Sequence, residues 1–169
     1  THPAEGLTNP TPCRMVAYSV SVDGGRTFSD MGVPPMLDTE WGDAGDPVLA
    51  IDRASGTIYY VGTSERYYSR GVPFWKSLDR GASFSRCPTI QRNITGSDYH
   101  WIAVDDWPGT GQHDLYLVIG GSYTNSYGPL WLTVSTDGSG TSWSTPTRIG
   151  SANAWMQQMM VGSDHVAYA

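Results

Sequence analysis

Ser77-Leu78-Asp79-Arg80-Gly81-Ala82-Ser83-Phe84 decides the reading of this chain, because it occurs twice more in varied form. Ser21-Val22-Asp23-Gly24-Gly25-Arg26-Thr27-Phe28 precedes it. Ser135-Thr136-Asp137-Gly138-Ser139-Gly140-Thr141-Ser142-Trp143 follows, with one residue inserted. The copies begin 56 and 58 residues apart. In each, the aspartate can accept backbone N–H bonds inside a turn, and Gly25, Gly81 and Gly140 are free to take positive φ. An aromatic closes each copy (Phe28, Phe84, Trp143) and can fall back into a core. The run before each copy is β-rich, as in Met15-Val16-Ala17-Tyr18-Ser19-Val20 and Leu130-Trp131-Leu132-Thr133-Val134. Each unit therefore reads as a hairpin.

Working outward, a second feature precedes each full unit. Asp46-Pro47-Val48-Leu49-Ala50-Ile51-Asp52 aligns with Tyr99-His100-Trp101-Ile102-Ala103-Val104-Asp105, each followed by turn residues and a return strand. A third such pair begins near Met159 and returns as His165-Val166-Ala167-Tyr168. No segment holds a sustained helical period, so the chain is expected to be all-β. A repeat of this length matches one four-stranded propeller blade. Naming the strands of a blade A to D, the chain reads as C–D strands over 13–30, a blade over 41–87, a blade over 97–146, and A–B strands over 154–169. That is three blades' worth, half of a six-bladed ring.

On these motifs the chain resembles the Asp-box (BNR-repeat) β-propeller superfamily, nearest to bacterial sialidase-like repeat proteins. The resemblance implies that Ser21, Asp23, Gly25, Phe28, Ser77, Asp79, Gly81, Phe84, Ser135, Asp137, Gly140 and Trp143 are structural Asp-box residues. They would sit on the face opposite the functional loops. That other face collects Asp46, Glu65, Arg66, Tyr67, Arg70, Tyr99, His100, Tyr123 and Trp155 as candidate ligand-binding residues, with Gln157 entering from the third connection. Aromatic planes beside carboxylates, arginines and amides suit a sugar ring. Trp41, Trp101 and Trp155 can equally recur because each packs between neighbouring blades.

The resemblance implies carbohydrate recognition, with an exo-glycosidase of sialidase type as the enzyme class. The aromatic-Arg-Ile-Pro motif of sialidases is absent, so no catalytic residue is assigned. A non-catalytic interaction or assembly scaffold is the alternative.

Composition narrows the partners. With a net charge of −6 over 169 residues, the chain lacks the basic stripe that nucleic acid requires. No apolar run approaches a membrane span. Cys13 and Cys87 match no metal spacing, no clustered His/Cys pattern exists, and neither a metal nor a cofactor is expected. The two cysteines read as buried or free thiols. An extracellular or periplasmic location is the expectation, and ring closure calls for a homodimer or the rest of a longer chain.

Overall fold

The computed structural model describes residues 16–35, 42–66, 69–94, 98–120, 129–150 and 157–169. Among them are twelve strands. A hairpin of β1 (Tyr18–Val20) and β2 (Ser29–Gly32) comes first. A meander of β3 (Gly42–Ile51), β4 (Ile58–Arg66), β5 (Ser69–Ser77) and β6 (Ser85–Ile94) follows. A second meander comprises β7 (Asp98–Val104), β8 (Leu115–Gly120), β9 (Trp131–Ser135) and β10 (Thr147–Arg148). The chain ends with the pair β11 (Met160–Val161) and β12 (Ala167–Tyr168). Every pairing is antiparallel between consecutive strands.

The strands alternate, but both faces of the two meanders are apolar. On β4, Tyr59 and Val61 face one core and Tyr60 the other. On β8, Leu115, Leu117 and Ile119 face the core shared with the first meander, while Val118 turns to the opposite side. Successive strand residues point to opposite faces, so a strand apolar at every position must be covered twice. Three cores result. One lies between the two meanders and is filled by Tyr59, Phe74, Ile102 and Leu117. A second lies between β1–β2 and the first meander, built on Val16, Tyr60, Trp75 and Phe84. The third joins the second meander to the β11 segment through Ala103, Val118 and Met159. The sheets thus stack face to face, with β3, β7 and β11 as neighbours.

The three serine–aspartate turns share one construction. Ser77 Oγ donates to Asp79 Oδ1 (2.7 Å) and accepts from Gly81 N (2.8 Å), while Asp79 receives Ser83 N and Ser83 Oγ. Ser21, Asp23, Gly25 and Thr27 repeat this. In the third turn, Asp137 takes Ser135 Oγ, Ser139 N and Ser139 Oγ, the inserted residue bringing Ser139 forward. Gly140 (φ 67) sits so close to Phe74 that a Cβ there would lie 2.1 Å from Cε1. Phe84 packs edge-on against Tyr18 (4.8 Å between centroids), and Trp143 edge-on against Phe74 (5.8 Å). Each of these aromatics fills the seam with the unit before it.

The outer strand of each unit runs past the limit expected from sequence. β2 reaches Gly32, β6 reaches Ile94 and β10 lies at Thr147–Arg148. Pairing explains this for β6: β5 extends down to Ser69, and Arg70 pairs with Ile94. Pairing with β5 carries the segment after the aromatic outward, and its apolar residues Cys87 and Ile90 enter the core between the meanders. Cys87 is a buried free thiol in the core between the meanders, and its burial raises the thiol pKa. Cys13 lies outside the described residues. No helix among the described residues is long and apolar enough to cross a membrane.

Candidate functional site

β3 and β7 run from one end of the sheets, here the open end, to the other, where the serine–aspartate turns lie. At the turn end the side chains stitch neighbouring units together. Asp52 is 1% exposed and Asp105 is fully buried. His113 Nδ1 lies 2.6 Å from Asp52 Oδ2, and His165 Nδ1 lies 2.7 Å from Asp105 Oδ2. Arg53 pairs with Asp106 and rests over the Trp107 ring. Tyr59 Oη donates to the Gly138 carbonyl at 2.8 Å. Asp79 is exposed and Asp23 half-buried, and hydrogen bonds led by Thr27 for Asp23 and by Ser83 for Asp79 lower their carboxyl pKa values to about 2. These carboxylates are occupied with holding turns.

The open end carries a cavity of about 280 Å³ lined by Asp46, Pro47, Val48, Tyr99, His100, Trp101, Gln157 and Gln158. Three successive units supply it: the middle of β3, the start of β7, and the segment entering β11. Asp46 (φ 51) and Tyr99 (φ 50) occupy matched positions with left-handed backbone. Both fall at register shifts, between Gly45 and Val48 and between Asp98 and His100. A bulge with a non-glycine residue at positive φ is strained, and such devices re-aim side chains beside functional sites.

His100 is 5% exposed. Burial lowers its imidazole pKa to about 4, against a partly compensating hydrogen bond to the Asp46 backbone. Its Nε2 has no hydrogen-bond partner. Gln157 is also buried; its Nε2 donates to the Tyr99 carbonyl, and its Oε1 has no partner. The amide lies against Gly120, where a Cβ would meet Gln157 Oε1 at 2.6 Å. Trp101 is half-buried and does both things open to it, packing in the seam toward β11 and lining the cavity.

Of the sequence-nominated residues, the structure brings Asp46, Tyr99, His100 and Gln157 together. Glu65, Arg66 and Arg70 are described as strand positions only, at the same end, with Glu65 opposite both Gly42 and Arg70. Tyr67, Tyr123 and Trp155 lie outside the described residues. Sequence reasoning missed Gln158, which belongs to no motif, and gave no role to the His113 and His165 contacts. The repeated Asp at the end of strand A was the available signal for the latter. Among the described residues no group of His, Cys, Asp and Glu is arranged to hold a metal ion.

No family model matches the chain. No curated protein matches it either. Among solved structures it is similar to a mutant of the α-L-arabinofuranosidase of Fusarium graminearum in complex with an iminosugar inhibitor. The identity is 20%, covering 78% of this chain and 40% of that one, with a TM-score of 0.54. It is equally similar to the GH93 α-L-arabinofuranosidase of Fusarium graminearum with arabinobiose, at 20% identity and a TM-score of 0.53. This chain spans 40% of the length of those enzymes. The likeness establishes the architecture: the stacked meanders are those of a β-propeller.

Proposed function

We propose that the chain is a segment of a sialidase-like Asp-box propeller, half of a six-bladed ring, that recognises carbohydrate and forms part of a glycoside hydrolase. The observation that carries this reading is the cavity where three units converge, with the Trp101 and Tyr99 rings beside the Asp46 carboxylate and buried amide and imidazole groups. Such a mixture of flat apolar surface and directional polar atoms fits a sugar. The neighbouring folds, one of them with arabinobiose, support the ligand class. The repeated bonding of Ser21–Asp23, Ser77–Asp79 and Ser135–Asp137 supports the repeat type. Titration with arabinobiose and with sialyllactose, followed by tryptophan fluorescence and calorimetry, tests the reading. Saturable binding of a sugar that weakens in an Asp46→Ala variant is expected. No binding of any sugar overturns it.

The ring itself needs further sheets, and we propose a second copy of the chain as their source. Phe84 and Trp143 each pack on the preceding unit, whereas Phe28, at the matching place, is 67% exposed. Leu49 and Ile51 of β3 and Met160 and Tyr168 at the far end are also exposed. The histidine–aspartate pairing supports the match. Gly56 takes the place of His113 in its turn, and Gly162 takes the place of Asp52 and Asp105, as their backbone bonds define. Where β12 of one copy meets β1 of another, a unit lacking the aspartate would face one lacking the histidine. Sedimentation at micromolar concentration should give twice the chain mass. A stable monomer overturns the dimer and assigns those faces to other propeller sheets.

A further inference from the structure

We infer that Gln157 is a positioning residue for the open-end cavity: reaching back from the next unit, its amide donates to the Tyr99 carbonyl, locks the β7 bulge and so sets where the Tyr99 side chain points. What that side chain meets rests on the carbohydrate reading; the clasp itself does not.

The bulge creates the need. Asp98 pairs with Gly120 and His100 with Ile119, neighbours on β8, so Tyr99 is the extra residue inserted between two ladder pairs. The carbonyl of an inserted residue falls outside the ladder and needs a donor from elsewhere. Gln157, itself buried, supplies one through Nε2. Its Oε1 is closed off from solvent, so the amide holds the cavity wall and does not touch a ligand. Tyr99 stands at φ 50, a backbone that non-glycine residues adopt only when their surroundings enforce it. Drawing the extra residue back into the ladder would relieve that strain and turn its side chain to another face. A bond on the Tyr99 carbonyl fixes the peptide plane that follows and opposes this relaxation. Gly120 leaves the room for it, since a Cβ there would lie 2.6 Å from Gln157 Oε1 and 3.0 Å from Nε2.

The arrangement recurs one unit earlier. Asp52, Asp105 and Gly162 hold matching places in their turns by their backbone bonds. Five residues before each stand Pro47, His100 and Gln157. His100 reaches back to the Asp46 backbone as Gln157 does to Tyr99, and Asp46 is the matching left-handed residue at the β3 bulge. Pro47 carries no side-chain donor. At the turn end His113 reaches back to Asp52 in the same direction. Each cavity-lining bulge is thus steadied by the unit that follows it.

NMR of the isotopically labelled protein reads the clasp without a ligand, because Cα and Cβ shifts report φ. Tyr99 should show left-handed shifts, and the Gln157 side-chain amide protons should exchange slowly with solvent. Gln157→Met keeps the length and loses the donor, so the Tyr99 shifts should move toward extended values. Calorimetry with arabinobiose or sialyllactose, whichever binds, should then show affinity falling by roughly three- to tenfold. Gly120→Ala displaces the amide without removing it and should reproduce both changes, which covers a Gln157→Met chain that fails to fold. Left-handed Tyr99 shifts retained in both variants overturn the inference, and so does an affinity that stays constant while those shifts move. If neither sugar binds the unaltered protein, the carbohydrate reading falls, and the Tyr99 shifts alone decide the clasp.

Discussion

His113 Nδ1 reaches across a sheet seam to Asp52 Oδ2 at 2.6 Å, a contact that His165 and Asp105 repeat one unit further on at 2.7 Å. Each histidine stands at positive φ (77 and 62) just before its return strand. That backbone turn throws the side chain toward the preceding unit, where the buried aspartate closes its own turn. The aspartate therefore ties two turns together. Burial opposes its charge, but bonds from Ser55 and His113 and from the Ser55 and Ala54 backbone outweigh it and lower the Asp52 pKa.

Removing the imidazole should loosen the seam. His113→Ala leaves a buried carboxylate short of one donor and should cost about 1–2 kcal/mol. Asp52→Asn should cost a similar amount, and a double-mutant cycle by urea denaturation should give clear coupling between them. Because folding favours ionised Asp52, its contribution is present above the ordinary carboxylate pKa and lost as pH falls through the lowered value. Additive losses would mean the contact contributes nothing.

Gly140→Ala should be among the more damaging single-methyl changes in the protein. The new Cβ would lie 2.1 Å from Phe74 Cε1, in a backbone with φ 67. Overpacking and left-handed strain together come to about 3 kcal/mol. Gly25→Ala shares the positive φ but has open space, so its cost should be smaller. Thermal melts of the two variants distinguish sterics from backbone strain.

His100 should make the fold acid-sensitive. Its pKa is lowered from the ordinary histidine value to about 4 by burial, so the unfolded chain binds the extra proton between those values. Stability should be complete above about pH 6.5 and decline as pH falls toward 4, by on the order of 3 kcal/mol. Urea midpoints across that range in His100→Gln should show a flatter slope. An unchanged slope would place the sensitivity elsewhere.

Gly120→Ala separates the site from the fold. The added methyl meets the tip of the Gln157 side chain, a movable group, at 2.6 Å. Gln157 should swing off the Tyr99 carbonyl. Sugar affinity should fall severalfold, while the melting temperature moves by only a few degrees. A large loss of stability with unchanged affinity would contradict this placement of Gln157.

Much of the architecture was legible because it is written in local chemistry. The Ser77–Asp79–Gly81 turn closes through bonds between residues at most four apart, so its sequence nearly specifies its shape. The pairs at Asp46 and Tyr99 could be nominated because they repeat. The lengths of β2, β6 and β10 were not legible, since pairing with the neighbouring strand sets where each one ends.

By itself, then, the sequence determined the hairpins, their order and their repetition along the chain. The tertiary structure alone decided that Asp46, His100 and Gln157 share a cavity, and that His113 serves the unit before its own. Local turns are set by neighbours in the chain, but a site assembled from three units depends on how their sheets stack. No motif encodes that juxtaposition, because it arises only when each sheet buries its second face.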